Sequence, residues 1–271
     1  MKKISNKIIA FCASAAAALS IVGCNDWLDV KIDDGSIASI DNAFNMRSTA
    51  IRYLATCYSY MTEEGNFAQD PAMLGGDELW DLPNRLTTTS ANRVPRTMFN
   101  IARGFQTASS PYANDWASMY EALRCCNIFF ENIDNVPDLK VNEKNKWVAE
   151  VKFLKAYYHF HLVRKWGPVP IIRENLPLNV SPEEARVYRT PIDTCFDHIL
   201  SLLDEALACE DLPVVNPSTE EYGRVSKSIV AAFKAKVAVY AASPLFNGND
   251  ELASLVDNTG RQLFPAKSDE E

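Results

Sequence analysis

The sequence predicts an all-α fold built from stacked helix hairpins with long irregular loops. Five segments repeat apolar residues every three or four positions, which is typical of amphipathic helices that pack on one another. No segment shows the convincing alternation of apolar and polar residues that a half-buried strand requires. The predicted helices cover, in chain order, residues 41–63, 112–134, 142–165, 191–208 and 226–242.

Each predicted helix carries one apolar face. Its members recur at three- and four-residue steps, so they line a single side of a helix with 3.6 residues per turn. Helix by helix, the apolar faces contain Phe44, Ile51, Leu54 and Tyr58; Trp116, Met119, Leu123 and Phe130; Trp147, Val151, Leu154 and Tyr158; Ile192, Phe196, Ile199 and Leu203; and Ile229, Phe233, Val237 and Tyr240. With 47% hydrophobic residues, the chain can build a packed core.

Residues at the predicted helix ends agree with these limits. Asp41 and Asn142 are suitable N-caps, and Pro191 suits the first position of the fourth helix. Gly167 and Pro168 end the third helix, because glycine accepts the C′ conformation and proline cannot continue a helix. Short joins at 136–138 and 210–223 predict two consecutive antiparallel hairpins, an arrangement that faintly resembles tetratricopeptide repeats.

The first 23 residues have the pattern of a signal peptide. Lys2, Lys3 and Lys7 precede an Ala-rich apolar run that is too short and too weakly apolar to span a bilayer. The following "IVGC" resembles the lipobox of bacterial lipoproteins, in which cleavage leaves the cysteine as the new N-terminus with a lipid on its thiol. We therefore expect lipidation at Cys24 and an acidic tether over 24–40.

Charge excludes one class of partner. Removal of residues 1–23 leaves 24 basic and 35 acidic residues, a formal net charge of −11. Such a balance speaks against binding to nucleic acid and against docking on anionic lipid through basic residues.

Cysteines and histidines form no recognisable metal motif. Besides Cys12 and Cys24, five cysteines remain, with one adjacent pair and no C-x-x-C, so buried free thiols are expected. His159 and His161 are two positions apart and point about 200° away from each other on a helix, while His198 belongs to another helix. No metal, cofactor or catalytic residue is predicted.

Taken together, these segments resemble the RagB/SusD family of outer-membrane nutrient-binding lipoproteins. The resemblance begins at "CNDWLDV" and continues through "WASMYEALRCCNIFFENID". Its most specific block is "AEVKFLKAYYHFHLVRKWGPVPII", residues 149–172, which is similar to the family's helix that runs into an aromatic-Gly-x-x-Pro turn. Two further blocks follow in the family's order, at 188–213 and 223–249.

This resemblance implies a fold and a role. The fold is a tetratricopeptide-like helical domain, here expected over 41–250, followed by a polar tail over 251–271 that is short relative to the family. The implied role is to capture oligosaccharide at the cell surface, without catalysis, and to pass it to a SusC-type TonB-dependent transporter barrel. A peptide-binding relative and a helical-repeat scaffold lipoprotein without sugar affinity are the alternatives.

The long segment 65–110 contains the best ligand candidates. It is rich in turn residues and lacks a helical period, and structureless loops of this length within compact domains are usually functional or disordered. A glycan site needs flat apolar faces and planar polar groups. Trp80, Asn84 and Arg85, with Asp77 close by, supply both, although Trp80 could instead pin the loop to the helices. No pair of acids in the sequence forms a glycosidase motif.

Overall fold

The computed structural model describes residues 40–65, 72, 101–112, 114–177 and 179–265, without the side chain of residue 41. The chain divides into two units, Met1–Asn42 and Ala43–Glu271. A short helix, Ile40–Ala43, contains the boundary between the units.

Within these ranges, five helices of more than one turn follow one another. They are α1 (Arg47–Ser59), α2 (Trp116–Asn132), α3 (Val141–Trp166), α4 (Ile192–Ala208) and α5 (Lys227–Ala241). Two 3₁₀ helices, Ile133–Asn135 and Thr219–Glu221, lie in the joins after α2 and before α5. The described residues contain two isolated bridges and no strand, which confirms the predicted all-α class.

The helix starts differ from the predicted caps. Asp41 falls inside the short first helix, and the chain bends at 44–46 before α1 begins. The N-cap of α3 is Lys140 and not Asn142, because Lys140 is the last residue with extended backbone angles. Pro191 is the N-cap of α4 and not its first helical residue, so this helix begins at Ile192, one residue later than predicted. None of these caps makes a side-chain hydrogen bond, so packing decides where the helices begin.

The end of α3 is as predicted. Gly167 has a φ of 69°, in the left-handed region that favours glycine, and its N–H donates to the carbonyl of Val163 at 2.8 Å. A Cβ at this position would also meet the ring of Phe264, 3.7 Å away. The helix therefore stops sharply and sends the chain across its own end.

α3 lies in the middle of the helical stack. It packs against α2 and α4, the two helices that flank it in the chain, and also contacts α1. α4 in turn packs against α5. Fifteen of the 26 residues of α3 are buried, including Trp147, which the sequence assigns to the core. None of the described helices is long and apolar enough to cross a membrane.

A buried ion pair crosses the middle of the stack. Glu150 of α3 is 0% exposed, and its carboxylate accepts from the Arg224 guanidinium at 2.6 and 3.1 Å. The Tyr58 hydroxyl of α1 donates to the same carboxylate at 2.6 Å and accepts from the Val225 N–H at 3.1 Å. One charged group thus holds together α1, α3 and the segment that leads into α5.

Part of the predicted polar tail, residues 251–271, packs against the helices. Leu263 and Phe264 are buried in the same core as the helices. The Ile192 N–H, at the start of α4, donates to the carbonyl of Leu263 at 2.9 Å. Two apolar side chains among polar neighbours are too short a signal for helix or strand periodicity, so the sequence does not reveal this packing.

Candidate functional site

The ligand candidates named from the sequence, Trp80, Asn84, Arg85 and Asp77, lie outside the described residues, as does the predicted lipidation site, Cys24. Their positions therefore stay predictions. The structure does describe the residues on either side of the long loop. Glu64 before it and Asp115 after it show where the loop joins the helices.

Before the loop, Glu64 is held by three cationic or polar groups. Its Oε1 lies 2.8 Å from the Arg164 guanidinium and 3.2 Å from His161 Nε2, and its Oε2 lies 3.3 Å from Lys236 Nζ. The close approach of His161, together with the positive charges of Arg164 and Lys236, lowers the pKa of Glu64 below its usual range. Burial lowers the pKa of His161, which favours the neutral ring.

After the loop, Asp115 forms a second ion pair with α3. The Lys165 ammonium lies 2.5 Å from the Asp115 carboxylate, immediately before α2 begins. Arg164 and Lys165 are neighbours in the last turn of α3. The chain therefore enters and leaves the 65–110 segment at the carboxyl end of α3.

A cleft of about 370 Å³ lies between two segments near this end of the fold. Its walls come from residues 187–189, which precede α4, and from the hairpin 255–263. The neighbouring Thr190 N–H donates to the carbonyl of Val169 at 3.0 Å, which ties the first wall to the chain just after α3. The lining residues are Val187, Tyr188, Arg189, Leu255, Val256, Asp257, Asn258 and Leu263, and we call this the Tyr188 cleft.

Asp257 organises the turn of the second wall. The Asp257 carboxylate accepts from the Thr259 N–H at 2.8 Å, the Thr259 hydroxyl at 2.6 Å and the Arg261 N–H at 3.0 Å. These hydrogen bonds, the one from the Thr259 hydroxyl foremost, lower the pKa of Asp257 to about 2. Gly260, with a φ of 82°, allows the reversal.

Arg261 joins the two walls. Its Nε donates to the Asp257 carboxylate at 3.2 Å, and its terminal nitrogen donates to the carbonyl of Arg189. Leu263 is buried beneath the hairpin. Hydrogen bonds of the protein itself thus join the two walls of the cleft.

The groups in the Tyr188 cleft suit a sugar. The Tyr188 side chain is 49% exposed and presents an aromatic face, while Arg189 and Asn258 supply planar hydrogen-bonding groups. Among the described residues, no hydrogen bond occupies the Tyr188 hydroxyl or the Asn258 carboxamide. An apolar face beside free planar polar groups is what the C–H surface and hydroxyls of a sugar ring require.

Two other clefts in the described residues are less suitable. One, of about 470 Å³, contains Arg47 and Glu143, but these side chains bind each other through two hydrogen bonds of 2.5 and 2.7 Å. The other, of about 390 Å³ between α3 and α4, contains Lys152 and Glu205, which form an ion pair at 2.7 Å. Neither cleft has an aromatic residue in its lining.

The histidines have structural partners. His159 donates from Nδ1 to the Lys155 carbonyl at 2.9 Å and accepts the Ile172 N–H at Nε2, whereas His161 turns to Glu64. This confirms that the two rings diverge. The centroids of the His198 and His159 rings are 5.0 Å apart. The sequence does not predict this approach, because the two residues lie on different helices. Within the described ranges, no group of three His, Cys, Asp or Glu side chains could hold a metal ion.

The Tyr188 cleft is not predicted from the sequence. A signal is present, since Tyr188 and Arg189 lie in an irregular segment outside every apolar stripe. The other wall, however, comes from residues more than 60 positions later, in what the sequence predicts to be a tail. Only the fold brings these two segments together.

Comparison with known proteins identifies the family. The family model described as "Starch-binding associating with outer membrane", SusD-like, matches residues 26–239. SusD-like protein P25 of Formosa agariphila is 26% identical over 221 residues, which are 80% of this chain and 40% of that protein. The chain thus spans about two fifths of the length of this relative.

Solved structures agree on the fold. The protein BT4246 has a TM-score of 0.68 and 26% identity, with 83% of this chain and 37% of that chain covered. A laminarin-binding SusD-like protein, 19% identical, has a TM-score of 0.59 with 82% and 47% coverage. The family match covers most of the chain and the helical architecture is shared, so this protein belongs to the RagB/SusD family of SusD-like proteins.

Proposed function

We propose that the chain is a non-catalytic glycan-binding lipoprotein of the outer membrane that passes oligosaccharide to a SusC-type TonB-dependent transporter barrel. The observation that carries this proposal is the family match over residues 26–239, whose description combines starch binding with the outer membrane. The laminarin-binding relative shares the fold and adds support for a carbohydrate as the cargo.

We assign sugar binding to the carboxyl end of α3. The Tyr188 cleft lies there, and the loop that carries Trp80, Asn84 and Arg85 is attached there through Glu64 and Asp115. A sugar would stack on Tyr188 and receive hydrogen bonds from Arg189 and Asn258. We expect no turnover, because this cleft contains a single carboxylate, Asp257, whose hydrogen-bonding capacity the turn already uses.

Anchoring follows from the N-terminal sequence. We propose that the signal peptide 1–23 is removed, that Cys24 carries the lipid and that residues 24–40 hold the helical domain away from the membrane. Mass spectrometry of the mature N-terminus tests this. A Cys24→Ala variant should lose the acyl mass and leave the membrane fraction, and an unmodified N-terminus in the natural protein would contradict the assignment.

Binding is tested by titration calorimetry with starch and laminarin oligosaccharides after a glycan array. We expect dissociation constants in the micromolar-to-millimolar range. Tyr188→Ala should weaken binding by about tenfold, since loss of a stacking ring corresponds to roughly 1–1.5 kcal/mol. The matched control is Tyr222→Ala, which removes another exposed tyrosine (71%) outside the cleft lining and should change nothing.

The outcomes separate the candidate functions. Equal binding by both tyrosine variants would remove the Tyr188 cleft from the site and leave the Trp80 loop as the candidate, which Trp80→Ala then tests. Peptide affinity without sugar affinity would favour the peptide-binding relative. A folded chain that captures a helical protein partner and no sugar would favour the scaffold. Release of reducing sugar by the purified chain would overturn the non-catalytic assignment.

A further inference from the structure

Two cysteines from different helices meet in the core. Cys57 lies on α1 and Cys125 on α2, 68 positions later, and both side chains are buried. Their Sγ atoms are 3.2 Å apart. A disulfide has an S–S distance of about 2.05 Å, so bond formation requires the sulfurs to approach by roughly 1.2 Å, a movement within the reach of side-chain rotation.

The surrounding contacts keep the two helices in place. The Tyr158 hydroxyl of α3 donates to the carbonyl of Cys57, which fixes the backbone on one side of the pair. The rings of Phe44, before α1, and Phe129, on α2, pack edge to face with centroids 6.1 Å apart. The two thiols are therefore held opposite each other by contacts that do not depend on them.

We propose that Cys57 and Cys125 form a disulfide in the mature protein that covalently joins α1 to α2. Each thiol gives up its proton and the pair gives up two electrons. The acceptor is the disulfide of a protein thiol oxidase or of oxidised glutathione, which becomes two thiols through a mixed disulfide. The inference rests on the proposed outer-membrane location, where the compartment is oxidising, and it is independent of the ligand.

The bond forms before the helices close. Contact with Cys57, and then burial, raise the pKa of the Cys125 thiol. Contact with Cys125 lowers the pKa of Cys57, but contact with Cys126 and burial outweigh it and raise that pKa as well. The attacking thiolate is therefore scarce once the fold is complete. Oxidation therefore belongs to the folding step, and the finished bond is protected from reductant. The bond encloses residues 58–124 and so closes the chain around the 65–110 loop with its predicted ligand residues.

Cys126 is the nearest alternative partner. It is the next residue of α2 and points about 100° away from Cys125, but it also contacts Cys57, so serine variants of Cys125 and Cys126 are needed to distinguish the two links. The other two cysteines are less well placed. Cys195, on α4, donates to the carbonyl of Thr190 at 3.3 Å. Cys209 follows α4, and its thiol approaches the carbonyl of Asn145 at 3.5 Å.

The test is peptide mapping of the full chain from membranes, alkylated with N-ethylmaleimide during lysis. Tryptic digestion without reductant should yield residues 53–85 linked to 125–140, with a mass two hydrogens below the sum. Cys125→Ser should abolish the linked species, while Cys126→Ser should retain it. Cys209→Ser is the control that removes a thiol and leaves the link. Full alkylation of residues 57 and 125, or a link through Cys126, would overturn the proposal.

A stability readout completes the test. Reduction in denaturant, followed by refolding with reductant present, should lower the Tm by about 5–15 °C, because the loop enclosed by the bond is long. Cys209→Ser treated in the same way should show the same loss, and Cys57→Ser without reduction should already show it. An unchanged Tm in Cys57→Ser would also contradict the bond. A sugar titration of Cys57→Ser tests the proposed ligand binding separately from the disulfide.

Discussion

α3 is the more buried of the two helices α3 and α5, although α5 has the larger share of apolar residues. α5 has 11 apolar residues among 15, but only Val230 and Val237 are buried along this helix. α3 has 14 apolar residues among 26, yet 15 of its residues are buried, among them Glu150, Lys155, His159 and His161. Position in the stack, and not hydrophobicity alone, decides what a helix buries.

The reason is the number of neighbours. α3 is covered by α1, α2 and α4, so even its polar residues are removed from water and must find partners. Lys155 donates to the Asn127 side chain at 2.6 Å, and Glu150 pairs with Arg224. α5 packs on one side only, against α4 and the aromatic residues of α3, so Ile229 and Val239 face outward. Buried polar pairs therefore concentrate on α3.

We expect the largest loss of stability from a substitution that breaks the ion pair between Glu150 of α3 and Arg224. Arg224→Gln should lower the free energy of unfolding by about 3–5 kcal/mol, because Glu150 would keep a buried charge without its partner. Urea denaturation measures the change. The control, Arg186→Gln, alters an exposed arginine and should stay within ~0.5 kcal/mol. A loss below ~1 kcal/mol for Arg224→Gln would mean that Glu150 is not confined as the structure indicates.

The next largest effect is a dependence of stability on pH, which arises from the polar residues buried on and against α3. All three histidines of the chain lie on α3 or against it, and burial lowers the pKa of each, that of His198 to about 4. In the unfolded chain the histidines take up protons near pH 6.5, whereas in the folded chain they do so only at lower pH. The free energy of unfolding therefore has its full value above pH 6.5 and decreases as the pH falls below it. Each histidine that stays neutral contributes a slope of roughly 1.4 kcal/mol per pH unit.

Denaturation between about pH 6.5 and 5.5 checks this, since most carboxylates titrate below this interval. Glu150 is the carboxylate to watch, because burial raises its pKa. His198→Asn should reduce the slope by about one histidine's share, since this ring contacts His159 and its Nδ1 accepts from Arg173 at 3.0 Å. A flat stability profile over this interval would show that the rings titrate as freely as in the unfolded chain.

The smallest effects compare two valines of α5. Val237 is 0% exposed and Val239 is 71% exposed, although they are two positions apart. Val237→Ala should cost about 1–3 kcal/mol because it leaves a cavity, whereas Val239→Ala should change the free energy of unfolding by less than ~0.5 kcal/mol. Thermal denaturation of both variants measures the difference. Equal losses would place both faces of α5 in contact with protein.

Much of the fold is visible in local patterns. The five apolar stripes predict all five long helices, and Gly167 with Pro168 predicts the end of α3. Trp147 belongs to the core as its stripe indicates. These features depend on residues a few positions apart, where backbone geometry links sequence to structure directly.

The candidate site is only partly predictable. The sequence points to the 65–110 loop, but the attachment of that loop through Glu64 and Asp115 depends on side chains about 50 to 170 positions away. The Tyr188 cleft likewise needs the hairpin around Asp257. The approach of Cys57 to Cys125 follows from the packing of α1 on α2. No local period encodes such contacts.

By itself, the sequence determined the helices, the sharp stop after α3, the acidic charge and the likeness to SusD-like proteins, because each is expressed in neighbouring residues or in their order. Tertiary structure alone decided which helix is buried on several sides, which polar residues must pair and which exposed side chains share a cleft. Those outcomes depend on distances between segments remote in the chain, and helix periodicity specifies the faces of a helix without naming the partner that covers them.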